Sequence, residues 1–164
     1  MSISCDARIW SHCGILAAND FPIDIVMQDP QSQSEIDTLI AAFFAAFDNR
    51  DGRVPKEDEV TRSFSEMAAI TVHRDDRSEV LSPIEFAEPR ISLLNDGTLV
   101  DFHEWEDSSS TEIVRAIAVR RSRYSKNGTH NGAPYSGSGT KFFQLARFSV
   151  GWRIVALSWI DDAE

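Results

Sequence analysis

The chain has 164 residues, 42% of them hydrophobic and 26% charged, and a formal net charge of −10. That length supports one core rather than two, and no run approaches the roughly 18 uninterrupted apolar residues of a membrane-spanning helix. Charge is uneven, since residues 112–153 carry eight basic side chains and one acidic, but the overall acidity opposes non-specific binding to a phosphate backbone.

Neither a membrane nor a nucleic acid is therefore expected as a partner, and the basic stretch reads as long cationic side chains on exposed strand positions. Both cysteines, Cys5 and Cys13, lie near the start. The rest of the chain has no thiol for a disulfide framework or a cysteine-based metal site, which fits a reducing, cytoplasmic compartment. The opening residues lack a basic leader and their apolar patch is interrupted, so no secretory signal is expected.

Residues 1–31 show no sustained period and read as a poorly ordered extension, leaving 32–164 as the domain. Met27, just upstream of the first helical pattern, is the expected native start. From Ser34 the spacing turns helical: Ile36, Leu39, Ile40, Phe43, Phe44 and Phe47 form one stripe. Ser32 or Ser34 is the expected cap, and Asn49-Arg50-Asp51-Gly52 the stop. Pro55 and the acidic run Glu57-Asp58-Glu59 open a short second helix whose buried edge is Val60, Phe64 and Met67. Ala69 to His73 is β-branched and reads as a strand ending in a charged turn at 74–77. Ser82-Pro83-Ile84-Glu85 is a capping box that opens a third helix, which Pro89 should kink and Asn95-Asp96-Gly97 should close.

Four strands follow, at 98–106, 112–124, 140–149 and 152–159, with turns expected at 107–110, in the Gly/Asn/Ser-rich stretch before Thr140, and at 150–151. Short turns between neighbours imply an antiparallel meander, and helices first with sheet later gives an α+β fold. Both sheet faces carry apolar residues, yet the helices can cover only one. A homodimer through the other face is expected.

Three stretches, Phe43 to Gly52, Ser82 to Leu94 with Asp96-Gly97, and Gly139-Thr140-Lys141-Phe142-Phe143-Gln144 leading to Gly151-Trp152-Arg153-Ile154 and Trp159, carry a family resemblance. The chain resembles the nuclear-transport-factor-2-like superfamily, which includes SnoaL-type polyketide cyclases, ketosteroid isomerases and scytalone dehydratase. The resemblance covers about residues 34–161. It implies a cone-shaped, curved antiparallel sheet with about three helices on its concave face and a cavity between them. Ketosteroid isomerases use a tyrosine on the first helix, where this chain has only phenylalanines, and the tyrosine and histidine array of scytalone dehydratase does not align. Neither mechanism carries over.

Candidate chemistry concentrates in Asp101-Phe102-His103-Glu104-Trp105-Glu106. Strand alternation puts Asp101, His103 and Trp105 on one face and Phe102, Glu104 and Glu106 on the other. Asp101 with His103 suits a general base and its orienting partner, and Glu104 and Glu106 suit carboxyl acids in a pocket or one end of an ion-pair ladder; half-exposed positions pairing with nearby arginines are the alternative. Arg120, Ser122 and Tyr124 share a parity with small residues and are read as cavity-facing, with Arg120 meeting Glu104 or an anionic ligand.

The expected pocket is lined by Phe43, Phe47, Arg120, Tyr124 and Trp159 and takes a small hydrophobic ligand. His73, His103 and His130 lack metal-ligand spacing, and residues 137–141 read as a hairpin loop rather than a phosphate loop. No metal or cofactor is expected. Two functions remain open: a lyase, isomerase or cyclase acting by proton transfer on an apolar substrate, and a noncatalytic dimeric association or ligand-sensing module.

Overall fold

A computed structural model describes residues 29–74 and 77–163. The extension up to residue 28 and the Met27 start lie outside the described residues. Helix α1 spans Pro30–Ala45 and is capped by Asp29, whose carboxylate accepts from the Gln31 backbone N–H at 3.1 Å. It therefore begins earlier than the apolar stripe suggests, because Asp29-Pro30 supplies a cap and a proline at the first helical position. Past α1, Asp51 and Gly52 adopt φ of 55° and 75° in a short 3-10 turn, the left-handed stop expected there.

Helix α2 is one turn, Glu57–Thr61. Phe64 is buried but belongs to strand β1, Phe64–Arg74, and Met67 on that strand is 92% exposed. The expected second-helix edge through Phe64 and Met67 is thus corrected. The chain leaves the helix at Arg62 because the backbone from Ser63 onward bonds to the sheet, the Ser63 carbonyl accepting from Ile154 N–H at 2.9 Å. Strand β2, Arg77–Leu81, pairs with β1 and was not anticipated; its four leading residues are exposed and polar enough to read as loop. Helix α3, Pro83–Asn95, has the expected capping box between Ser82 and Glu85 and runs on through Pro89.

The remaining strands are β3 Leu99–Val114, β4 Ile117–His130, β5 Ala133–Phe148 and β6 Gly151–Asp161. They are longer than their apolar cores, so two expected turns move. Residues 107–110 are strand, and the β3–β4 turn lies at Arg115-Ala116. Residues 137–141 are likewise strand rather than loop, and the β4–β5 turn is Asn131-Gly132, with φ of 50° and 80°. Asn-Gly is the preferred two-residue hairpin turn because both positions need positive φ.

The sheet is six-stranded in the order β2-β1-β6-β5-β4-β3. The meander from β3 to β6 is antiparallel as expected, but β1 joins β6 in parallel. The fold is α+β, a curved and mostly antiparallel sheet with the three helices on its concave face.

The core between the layers is aromatic. Phe43 of α1 stands edge-on to Phe44, Phe47, Phe64 and Phe143 at centroid separations of 5.4–5.8 Å and stacks on Phe86 at 6.5 Å. Such pairs add about 0.5–1.5 kcal/mol each beyond burial.

Asn49 fastens the entry of β3. Around Asp101, at φ 51°, the β3–β4 register shifts, and Phe102 falls outside the ladder. The Asn49 backbone N–H donates to the Phe102 carbonyl at 3.1 Å and its Oδ1 accepts from Phe102 N–H at 2.7 Å. Its Nδ2 donates to the Leu94 and Leu99 carbonyls at 2.8 and 2.7 Å. One buried amide thus joins the end of α1, the end of α3 and the bulge that turns Phe102 inward.

Candidate functional site

Between the helices and the concave sheet face lies a cavity of about 430 Å³, within the roughly 300–1,000 Å³ typical of small-molecule sites. Its apolar wall comes from Phe43 and Phe47 of α1, Phe86, Leu93 and Leu94 of α3, Leu99 and Phe102 of β3, and Trp159 of β6. Its polar groups come from the strands: Glu104 on β3, Tyr124 and Lys126 on β4, Lys141 on β5 and Asp161 on β6. His73, Arg90, His130 and Tyr135 also line it.

Among the described residues, Lys141 and Glu104 form the most enclosed ion pair. Their side chains are 7% and 9% exposed, and Lys141 Nζ donates to Glu104 Oε1 at 2.8 Å. The same ammonium sits 3.7 Å from the centre of the Tyr124 ring, a cation–π contact. Burial pushes the Lys141 amine below its ordinary value, against the opposing pull of Glu104.

Tyr124 is fully buried and its hydroxyl donates to Asp161, which also accepts from Lys126 Nζ at 2.9 Å. Burial, then that bond and the negative charge of Asp161, push the Tyr124 phenol far up, so it stays protonated. Burial alone would lower Lys126, but its hydrogen bonds to Asp161 and Tyr135 hold it above the usual lysine value. This arrangement needs glycine at 139, opposite Tyr124 in the ladder: a Cβ there would stand 2.6 Å from the Tyr124 hydroxyl.

Of the residues singled out from the sequence, Phe43, Phe47, Glu104, Tyr124 and Trp159 line this cavity. Asp101 and His103 do not. Alternation along β3 turns Glu104 inward and these two outward, where Asp101 is exposed and the His103 ring stacks on Trp105 at 4.6 Å. The trio Asp101, His103 and Glu104 is thus divided between two faces, and no Asp101–His103 dyad faces the cavity.

Arg120 is also corrected. It is 4% exposed and on the concave side, but it bonds to Glu106 at 3.0 and 2.5 Å, to Asp37 of α1 at 2.6 Å and to Thr111 at 2.8 Å, outside the cavity lining. Its carboxylate is Glu106, because Thr111 rather than Glu104 is its ladder partner and Glu106 lies nearer along β3.

Sequence reasoning passed over Lys141, Lys126 and Asp161. A signal existed for Lys141, which shares its parity with buried Phe143 and Leu145. Lys126 and Asp161 had none, since both lie where the expected strands had already ended.

The chain matches no family profile and no curated protein sequence. Solved structures do match. A nuclear-transport-factor-2-like superfamily protein from Salmonella enterica is 17% identical over 82% of this chain and 94% of its own, with a TM-score of 0.65. The hexachlorocyclohexane dehydrochlorinase LinA-type3 from Novosphingobium barchaimii is 14% identical over 82% and 88%, at 0.64. This chain has the nuclear-transport-factor-2-like fold. ActVI-ORFA from Streptomyces coelicolor is a further match, 13% identical over 79% of this chain and 96% of its own, at 0.61. Within the nuclear-transport-factor-2-like fold, identities this low reflect shared architecture alone.

Proposed function

We propose that the cavity binds a flat, largely apolar small molecule and transfers a proton on it, in a lyase- or isomerase-type reaction. The observation that carries this reading is the Glu104–Lys141 pair set into an aromatic-walled cavity. Taking both charges out of water costs several kcal/mol per ion, by order of magnitude. A packed apolar pair would fill the same space without that cost, so the pair is read as serving a ligand.

Glu104 is the proton carrier in this scheme. Its carboxylate accepts a proton from an acidic carbon of the substrate, while the Lys141 ammonium holds the carboxylate in place and offsets negative charge that develops nearby. Tyr124 acts by position, since its O–H is already donated to Asp161; its ring seats the ammonium. Phe43, Phe47, Phe86 and Trp159 exclude water and select an apolar body.

Incubation of the protein with a small aromatic ketone such as phenylacetone in D₂O, followed by NMR, tests the reading. Accelerated deuteration at the α-carbon, saturable in ketone and lost in Glu104→Gln, is the expected result. No acceleration over Glu104→Gln would refute proton transfer, and no saturable binding would refute the pocket.

A second reading, an association module, is favoured by the outer sheet face. Ile117, Val119, Phe142 and Ile160 are 51–62% exposed there, an apolar group of the kind that marks interfaces. A homodimer through this face is compatible with the first reading, since the cavity opens on the other side of the sheet.

A further inference from the structure

The geometry points to Lys141 as a covalent attachment site that condenses with an aldehyde or ketone to form an imine inside the cavity, with Glu104 handling the protons. The inference rests on the reading of the cavity as a small-molecule site and deepens it by naming carbonyl compounds as the ligand class.

Three features of Lys141 combine. First, it is the more deeply buried of the two lysines that line the cavity, with 7% of its side chain exposed against 14% for Lys126. The chain has only three lysines, Lys56, Lys126 and Lys141. Lys56 is exposed and outside the cavity lining, and Lys126, which lines the cavity, is engaged with Asp161 at 2.9 Å. Lys141 is 6% exposed and lines the cavity.

Second, its hydrogen-bond partner is an acid. Moving one proton across the 2.8 Å from Nζ to Glu104 Oε1 leaves a neutral amine beside a carboxyl group, which are the nucleophile and the proton donor that imine formation requires. Third, three ring faces lie around it, Tyr124 at 3.7 Å, with Trp159 and Phe44 at 5.5 and 5.8 Å, while the charges of Lys126 and Asp161 act on it with opposite signs. These rings solvate a cation poorly compared with water. Burial accordingly lowers the lysine toward the neutral form.

The step balances without an outside reagent. The Nζ lone pair attacks the carbonyl carbon. An N–H proton passes to Glu104 as the Glu104 carboxyl proton passes to the carbonyl oxygen, giving a carbinolamine. Glu104 then protonates the hydroxyl, which leaves as water while the nitrogen lone pair forms the C=N bond. Amine, carboxyl group and carbonyl compound become iminium, carboxylate and one water, and the iminium inherits the ion pair that Lys141 made before. The Tyr124 ring and Glu104 carboxylate that held the ammonium hold the iminium equally.

Benzaldehyde with sodium cyanoborohydride tests this on the intact wild-type protein, read by peptide mapping. Benzaldehyde has no α-hydrogen, so its trapping is independent of the proton-transfer assay. The expected result is a benzyl group on Lys141 in preference to exposed Lys56 and to the chain's terminal amine, suppressed by an excess of a non-reacting aromatic such as toluene, with loss of the Lys141 adduct in Glu104→Gln. Labelling spread over Lys56 and the terminal amine with Lys141 unmodified would overturn the inference. If benzaldehyde still quenches the tryptophan fluorescence saturably in that case, and the Trp159→Phe variant loses that quenching, the pocket stands and only imine formation fails. If it neither labels nor binds, the pocket reading fails with it. The preference among amines is internal to one wild-type sample and does not depend on a variant's folding; the Glu104→Gln arm is read on protein whose circular dichroism matches the wild type.

Discussion

Lys141 and Glu104 depend on each other in a way that a double-mutant cycle measures. Lys141→Met leaves the Glu104 carboxylate buried without a counter-charge and is expected to cost about 3–5 kcal/mol in urea unfolding, with much of the loss recovered when Glu104→Gln is added. Independent, additive losses would show that the two side chains are not coupled. Acid titrates a different group of carboxylates. Asp162 is held down to about 2, first by its hydrogen bond from Arg123 and then by that from Ser138. Burial would raise Asp161, but its hydrogen bonds from Tyr124 and Lys126 outweigh that and keep it below 3.8. A carboxylate with a lowered folded-state value adds stability above its unfolded value and loses it as pH falls through the folded one, so thermal stability should drop from about pH 4 to about pH 2. Asp162→Asn should flatten that drop; an unchanged slope would exclude this source. At this scale the sequence was partly legible. Alternation separated Glu104 from Asp101 and His103 without saying which face is concave, and nothing local could say that Arg120 would meet Glu106 and Asp37 rather than a ligand, because that choice depends on where α1 lands.

Arg120 belongs to the scale of elements, since it ties β4 to both β3 and α1. Arg120→Ala is expected to cost about 2–3 kcal/mol, the penalty for a broken buried pair discounted for the partial exposure of its carboxylates. Ligand binding to the folded protein should keep its affinity, measured by fluorescence titration below the unfolding transition; a large loss of affinity would return Arg120 to the site. The elements themselves were legible where a local rule was strong. The stripe of α1 and the capping box at Ser82 specify helices from a few residues. Strand lengths were not, because the ends of β3, β4 and β5 include polar or small residues such as Ser108-Ser109-Ser110 and Ser136-Gly137-Ser138, held in the sheet by ladder partners on the neighbouring strand rather than by an apolar pattern of their own. The parallel β1–β6 pairing was hidden for the same reason, since neither strand carries a mark of its neighbour.

For the whole molecule, charge that looks segregated along the chain is largely paired across space. From the basic stretch, Arg120, Arg123, Lys126, Lys141 and Arg147 pair with Asp37 and Glu106, Asp162, Asp161, Glu104 and Glu35 respectively. The stretch is thereby no uniform cationic surface. What remains unusual outside is the apolar face around Phe142, and the proposed dimer should sediment as such at micromolar concentration. Phe142→Glu with Val119→Lys is expected to give a folded monomer, and a wild-type monomer under the same conditions would exclude pairing through this face.

The place of β6 in the sheet order has a consequence for synthesis. It lies between β1 and β5, so the strands made first and those made just before it have no contact ladder until the last of the six has left the ribosome. Until then the β1–β2 hairpin and the free side of β5 are open edges, templates for pairing with other nascent chains. The cavity waits as well, because Trp159 and Asp161 arrive on that same strand. The proposed ligand binding would thus be a property that a growing chain cannot acquire in part, and a ligand present during translation would stabilise only the finished domain.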